Sequence, residues 1–210
     1  MVKVDYKKDF KPLYLPKPEP QIVEVGPVPF FMVDGSGDPN GGEFVKAVEA
    51  LYSLSYAVKM SYRSDDAPEG YYAYTVFPLE GVWDLIDYSK PATDKSNLKY
   101  TLMIRQPDFV TEALWRKYAE RTAKKKPNPF LEKVVFGTIT EGLCCQMMHL
   151  GSYDDEAKSF AAMKAYCSDN GYVRTSLLHR EIYISDPRKT EPSKRKTVLR
   201  FQAARSRPRV

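Results

Sequence analysis

The run HREIYIS, residues 179–185, sets Glu181 and Tyr183 two positions apart in a β-prone segment. Side chains alternate along a strand, so Glu181 and Tyr183 share one face while Ile182 and Ile184 share the other. The isoleucine face is expected to pack beneath a helix, turning Glu181 and Tyr183 away from the helix layer and toward a cleft. A carboxylate in aromatic surroundings loses hydration, which raises its pKa and suits it to proton transfer. Ionised, the same group would hold a cationic ligand. The plainer alternative is an ion pair with Arg105, Arg180 or Arg200 on neighbouring strands. In PLEGVW, residues 78–83, Glu80 and Trp83 come together after a strand. Trp83 either walls an aromatic cage, where an indole face attracts flat or cationic molecules, or fills the core. Trp115 falls over the same cleft or over the sheet. Tyr52 and Tyr56, four apart on one helix, line either core or cleft.

Other chemistries find little footing. His149 and His179 are the only histidines, and Cys144, Cys145 and His149 do not have the spacing of a zinc site. There is no GxSxG nucleophile turn and no GxxxxGK[ST] phosphate loop; GSGDPNGG, residues 35–42, reads as a turn. No metal or organic cofactor is expected.

The elements that must position these residues follow from periodicity. Four prolines among residues 1–20 predict an extended arm and not a packed element. A strand is expected at Ile22–Val33, broken by Gly26, Pro27 and Pro29. Residues 43–60 carry Phe44, Val48, Leu51, Ser55 and Val58 at helical spacing. YYAYTVFP (71–78) reads as a strand, as does LKYTLMIRQ (98–106). A helix capped by Asp108 or Thr111 runs to about Lys126, with Leu114, Trp115, Tyr118 and Thr122 on one face. Short strands are expected at Val134–Thr138 and Leu143–Leu150. A third helix lies within 152–172, Ser152 with Asp155 forming a capping box and Gly171 closing it. HREIYIS and KTVLRFQ (196–202) are the last strands. The order strand, Gly-Ser turn, helix, strands occurs twice, which implies duplication with two-fold pseudosymmetry and a ligand cleft between the halves. The expected fold is thus α/β (α+β): two strand-helix-strand-strand modules with antiparallel sheets facing a central cleft. Module one spans about 21–106, a helical insertion 107–133, module two 134–202, and a basic tail 203–210.

The chain of 210 residues holds 15 Tyr and 10 Phe, a composition suited to a surface both apolar and wet. The net charge of +5 is unevenly placed: residues 188–210 contain nine basic residues and one acid, leaving the rest slightly acidic. A solvated tail explains this better than nucleic-acid binding, because no aromatic-basic interleaving or helix-turn-helix pattern accompanies it. Three cysteines, two adjacent, argue against a disulfide framework. The N-terminus shows no apolar signal region and no run is long enough to span a bilayer, so a cytoplasmic protein with no membrane partner is expected.

The blocks FVKAVEALYSLSYAVKM, YTVFPLEGVW, MIRQPDFVT, EGLCCQMMHLGSYDDE and HREIYISDPRK, in this order over about residues 20–200, resemble the GyrI-like family of small-molecule-binding proteins within the SOUL/GyrI superfamily. Family members include effector domains of multidrug-responsive regulators, inhibitors of DNA gyrase, and stand-alone cyclopropanoid cyclopropyl hydrolases. The last group detoxifies DNA-alkylating compounds with an aromatic cage. The sequence looks closest to these hydrolases, having a long insertion around 85–126 with Trp115. The resemblance puts the family's central glutamate at Glu181 and its cage tryptophan at Trp83, as catalytic residues. Trp115, Tyr183, Tyr56, Phe136 and Met147 are then the expected ligand-binding residues. The implied partner is a flat aromatic or cationic small molecule, and the implied state a monomer or homodimer. The family block usually carries two successive histidines before the glutamate; here Arg180 takes the second place.

Overall fold

A computed structural model of the chain describes residues 3–63, 67–91 and 93–206. Two strands of 16 residues each, β1 (Gln21–Ser36) and β4 (Val135–Leu150), pair antiparallel along most of their length. Each begins one half of the molecule. In the first half β1 leads to helix α3 (Gly42–Lys59), then β2 (Leu79–Leu85) and β3 (Leu98–Arg105); in the second, β4 leads to α5 (Glu156–Asp169), a short β5 (Tyr172–Arg174), β6 (His179–Tyr183) and β7 (Lys196–Arg205). Helix α4 (Glu112–Lys125) packs on α3, with Thr111 accepting from the Leu114 amide as its N-cap. Pairing runs β4-β1-β3-β2-β6-β7 and returns from β7 to β4, so six antiparallel strands close into a barrel, with β5 added beside β7. The expected α/β architecture of two antiparallel modules is present, and closure removes the sheet edges each module would otherwise expose.

Register makes the duplication concrete. Glu80 pairs with Ile182 and Val82 with Arg180, flanking the Gly81–Glu181 pair symmetrically. The pseudo-two-fold axis therefore passes between Gly81 and Glu181. Trp83 and Tyr183, each two residues further on, are equivalents, as are Glu80 and Arg180. The long strands also bend together. Val25 packs inward with Cys144, whereas Val28 and Phe30 do so past the bend, and Gly142, at φ 69°, allows the turn a side chain would strain.

Several elements differ from expectation. The N-terminal segment is not an extended arm: Tyr6–Asp9 (α1) and Lys11–Tyr14 (α2) are helical turns that plug one end of the barrel, with Tyr6 and Tyr14 buried. Gln146 donates to the Pro12 carbonyl at 2.6 Å, and Arg200 to that of Leu13 at 3.0 Å. YYAYTVFP forms no strand beyond one bridge between Val4 and Tyr74; its tyrosines pack by ring contacts with Phe109. The two short strands expected in 134–150 are one. At the C-terminus the tail is shorter than expected, because Ala203, Ala204 and Arg205 extend β7 and pair with β5, and Arg200 is buried; residues 207–210 lie outside the described residues. No helix among the described residues is long and apolar enough to cross a membrane.

Candidate functional site

Both helices α3 and α5 lie outside the barrel, and the seam between β2 and β6 runs beneath them. On this outer face Gly81, Trp83, His179, Glu181 and Tyr183 stand together. That reverses one expectation. Ile182 stands across from Val198 and from Glu80, which Tyr14 reaches inside the barrel, while Glu181 meets Glu156 in the first turn of α5. Glu181 and Tyr183 thus face the helix layer, because closing the barrel gives its interior to the isoleucine side.

The polar groups form a chain. Trp83 Nε1 donates to the Tyr183 hydroxyl at 2.9 Å, and that hydroxyl donates to Glu181 Oε2 at 2.9 Å. His179 Nε2 lies 3.2 Å from Glu181 Oε1. Burial, followed by the neighbouring Glu181 charge, holds the Tyr183 hydroxyl far above the usual phenol range. Glu156 shares a carboxyl-carboxyl hydrogen bond with Glu181; burial first, then that neighbour, pushes its pKa up to about 10. Two buried carboxyls in contact cannot both ionise cheaply, so sharing one proton is the favoured state of the pair. Glu156 Oε1 has no hydrogen-bond partner among the described residues.

Aromatic rings enclose this chain. Trp83 stacks on Phe44, in the first turn of α3, at 6.2 Å between centroids and meets Tyr100 at 5.1 Å. Tyr153 sets its edge against Tyr183, and Phe160 against His179. Gly81 makes the arrangement possible: a Cβ there would lie 2.8 Å from Trp83 Nε1 and 3.3 Å from the Tyr183 hydroxyl. The carboxylate, the phenol and the indole converge because the axis brings equivalent strands side by side.

Of the residues singled out from sequence, Glu181, Trp83 and Tyr183 meet directly. Phe136 instead contacts Phe31, Met147 packs under α5 with Met163 and Cys167, and Tyr56 is half-exposed beside Tyr52. Trp115 packs against the core from α4, its indole N–H without a partner among the described residues. The alternative pairing of Glu181 with arginine is not what the fold contains. Arg180 faces the interior, 2.7 Å from Glu80 and 3.0 Å from Glu141; Arg200 pairs with Glu141 and Arg105 stacks over Phe10. The arginine next to Glu181 in sequence therefore stands on the opposite face of the strand. Sequence reasoning missed Glu156, Tyr153 and Phe44. Glu156 sits in the SYDDE helix start, where an acid reads as an answer to the helix dipole, and only the fold shows it buried against a second carboxyl.

One family description, the GyrI-like small molecule binding domain, matches residues 18–202. Among solved structures, a conserved protein from Listeria innocua is 39% identical, with a TM-score of 0.90 over 96% of this chain and 100% of that one. A hydrolase from Listeria innocua is 38% identical, with a TM-score of 0.88 over the same shares. The C-terminal domain of EcmrR, at 14% identity and a TM-score of 0.53 over 89% of this chain and 98% of its own, shares the fold. No curated protein matches the chain.

Proposed function

From a chain that belongs to the GyrI-like small-molecule-binding family, with residues 18–202 matched, we propose a detoxifying hydrolase that binds a flat molecule at the Trp83–Tyr183–Glu181 site and opens its cyclopropane ring. The substrate class is the cyclopropanoid DNA-alkylating xenobiotic, a strained spiro-cyclopropane conjugated to a dienone. The observation that carries the reading is the contact of two buried carboxyls, Glu156 and Glu181, beside the hydrogen-bonded Trp83–Tyr183 wall. Similarity to a Listeria hydrolase supports it.

In this reading the oxygen of a water attacks the cyclopropane methylene. The strained carbon–carbon bond breaks, and its electron pair moves through the dienone to the carbonyl oxygen, giving a phenolate that takes a proton from solvent. Glu181 accepts the proton lost by the water. The proton resident on Glu156 fixes the Glu181 carboxylate in place by hydrogen bonding and keeps the pair at a single negative charge. Trp83 and Tyr183 orient the flat rings and exclude bulk water. Trp115 and Tyr56 belong to the same proposal as outlying contacts for a larger ligand.

A second reading, binding without turnover, draws on the same site: Trp83, Tyr183 and Glu181 spend their polar atoms on one another, an arrangement suited to a sensor or sequestering protein. Absorbance of a spiro-cyclopropyl dienone at substoichiometric protein separates the two. Multiple turnovers support hydrolysis, and a change limited to one equivalent supports binding alone. Within the hydrolase reading, Glu181→Gln keeps affinity within about tenfold and lowers the single-turnover rate by about 10²–10⁴-fold. Trp83→Ala weakens binding and rate together. Normal turnover in Glu181→Gln would remove the proton-transfer role.

A further inference from the structure

One group that touches Glu181 has no part in the proposed chemistry. His179 stands two residues earlier on the same face of β6, across the seam from Trp83, with its Nε2 3.2 Å from Glu181 Oε1. We propose that His179 is the positioning residue of Glu181 and makes the site sensitive to pH: its Nε2–H aims the carboxylate, and a second proton on the ring cancels the charge that the site presents to a ligand.

Three observations carry it. The first is how the carboxyl is held. Its Oε2 accepts from the Tyr183 hydroxyl at 2.9 Å, Glu156 is hydrogen-bonded to it as well, and His179 supplies the contact at Oε1. Groups on both oxygens fix one orientation. The second is access to water. The side chain of His179 is 24% exposed, against 11% for that of Glu181, so a proton arriving from solvent meets the imidazole first. The third is chemical. Histidine is the side chain whose charge changes between roughly pH 5 and 8, whereas burial raises both the Tyr183 hydroxyl and Glu156 clear of that window. The surroundings of the ring leave Glu181 as its ion-pair partner among the described residues. Its own strand adds Tyr183. From α5 come Phe160, edge-on at 4.9 Å, and Glu156 one turn earlier, with Tyr153 before that turn. Arg174 of β5 lies 5.5 Å over Phe160, on the far side of that ring's cluster. Trp83 of β2 and Leu199 and Phe201 of β7 carry no charge. The inference rests on Trp83, Tyr183 and Glu181 being the ligand site, whether or not the ligand is turned over.

NMR of the Glu181 carboxyl carbon, followed together with the His179 ring signal from about pH 5 to 8 in the full chain, tests the proposal without a ligand. The two signals should move with one midpoint. In His179→Gln, whose amide N–H donates but does not ionise, the carboxyl signal should hold its high-pH position. With a spiro-cyclopropyl dienone, the single-turnover rate of the parent chain should fall toward acid with the same midpoint. That acid limb should be absent in His179→Gln, and His179→Ala should be slower by at least about tenfold across the range, since a misplaced group loses its orientation. A carboxyl signal that ignores the His179 titration would overturn the inference. So would one that titrates unchanged in His179→Gln, or a rate in His179→Ala equal to that of the parent. Absence of turnover in every chain would count against the hydrolase reading alone, and the carboxyl titration would still decide the role of His179.

Discussion

At the scale of single residues, the site rests on what each neighbour denies to the next. Burial first, and then the Glu181 carboxyl in contact with it, favours the neutral form of Glu156. The consequence for stability has a definite sign. A carboxyl whose folded pKa is raised binds more protons folded than unfolded, between its unfolded value of 4.5 and about 10. Stability is then full below the lower value and falls as pH rises through that window, by up to about 1.4 kcal/mol per unit for one proton. Glu156→Gln, which cannot ionise, should therefore melt with a shallower loss between pH 6 and 9 than the parent chain. Parallel pH profiles of the two melting temperatures would show that Glu156 ionises freely in the folded protein. Gly81 tests the geometry from the other side. Its missing side chain leaves the space in which Trp83 and Tyr183 bond. Gly81→Ala should break that bond, shift the indole N–H resonance of Trp83 and cost about 1–3 kcal/mol by overpacking. An unmoved indole signal would mean that the rings do not meet in solution.

Between residues and the whole stand the elements, and here the N-terminal plug matters most. Tyr14 places its hydroxyl 3.1 Å from Glu80 inside the barrel, and Phe10 lies 4.0 Å under the Arg105 guanidinium. Tyr14→Ala removes a buried ring and a bond to a buried carboxylate, so unfolding in urea should lose about 3–5 kcal/mol; a loss under about 1 kcal/mol would mark the plug as loosely seated. None of this was legible in a Lys- and Pro-rich stretch, since prolines report local stiffness and say nothing of a distant barrel that needs a stopper. By contrast α3 and β3 were readable to within a residue or two, because a long amphipathic period and an alternating run each allow one solution. YYAYTVFP misled because β-propensity largely measures how well aromatic side chains fit a half-buried surface, and its tyrosines satisfy that need by ring packing without a ladder. Glu181, Trp83 and Tyr183 could be chosen by chemistry and by resemblance. Their face could not, because which side of a strand meets a helix depends on closure of a barrel by strands far apart in sequence.

The molecule as a whole is two half-barrels that complete each other across an axis, and β7 ties together the other three strands of the second half. It pairs with β4 along seven positions, with β6 along four, and at its far end with β5 along three. Judged by charge alone, residues 203–210 form a solvated tail whose removal changes nothing. In the fold, Ala203 is buried, Val173 pairs with Ala204, and the Ser206 amide donates to the Gly171 carbonyl at 2.9 Å. Gly171, at φ 74°, turns the chain out of α5 into β5, so this last stretch fastens the helix that carries Glu156. Deleting Ala203–Val210 strips β5 of its ladder with β7 and frees that end of α5. The expected cost is about 2–3 kcal/mol, or a melting temperature lower by roughly 4–12 °C for a chain of this size. Because α5 bears on the site through its first turn and is freed only at its last, ligand affinity at Trp83 should fall by less than about tenfold while stability drops. Calorimetry of the truncated chain decides between the two accounts: an unchanged melting temperature would return these residues to the status of a tail, and a lowered one with retained binding would place them in the structure that holds the second half closed.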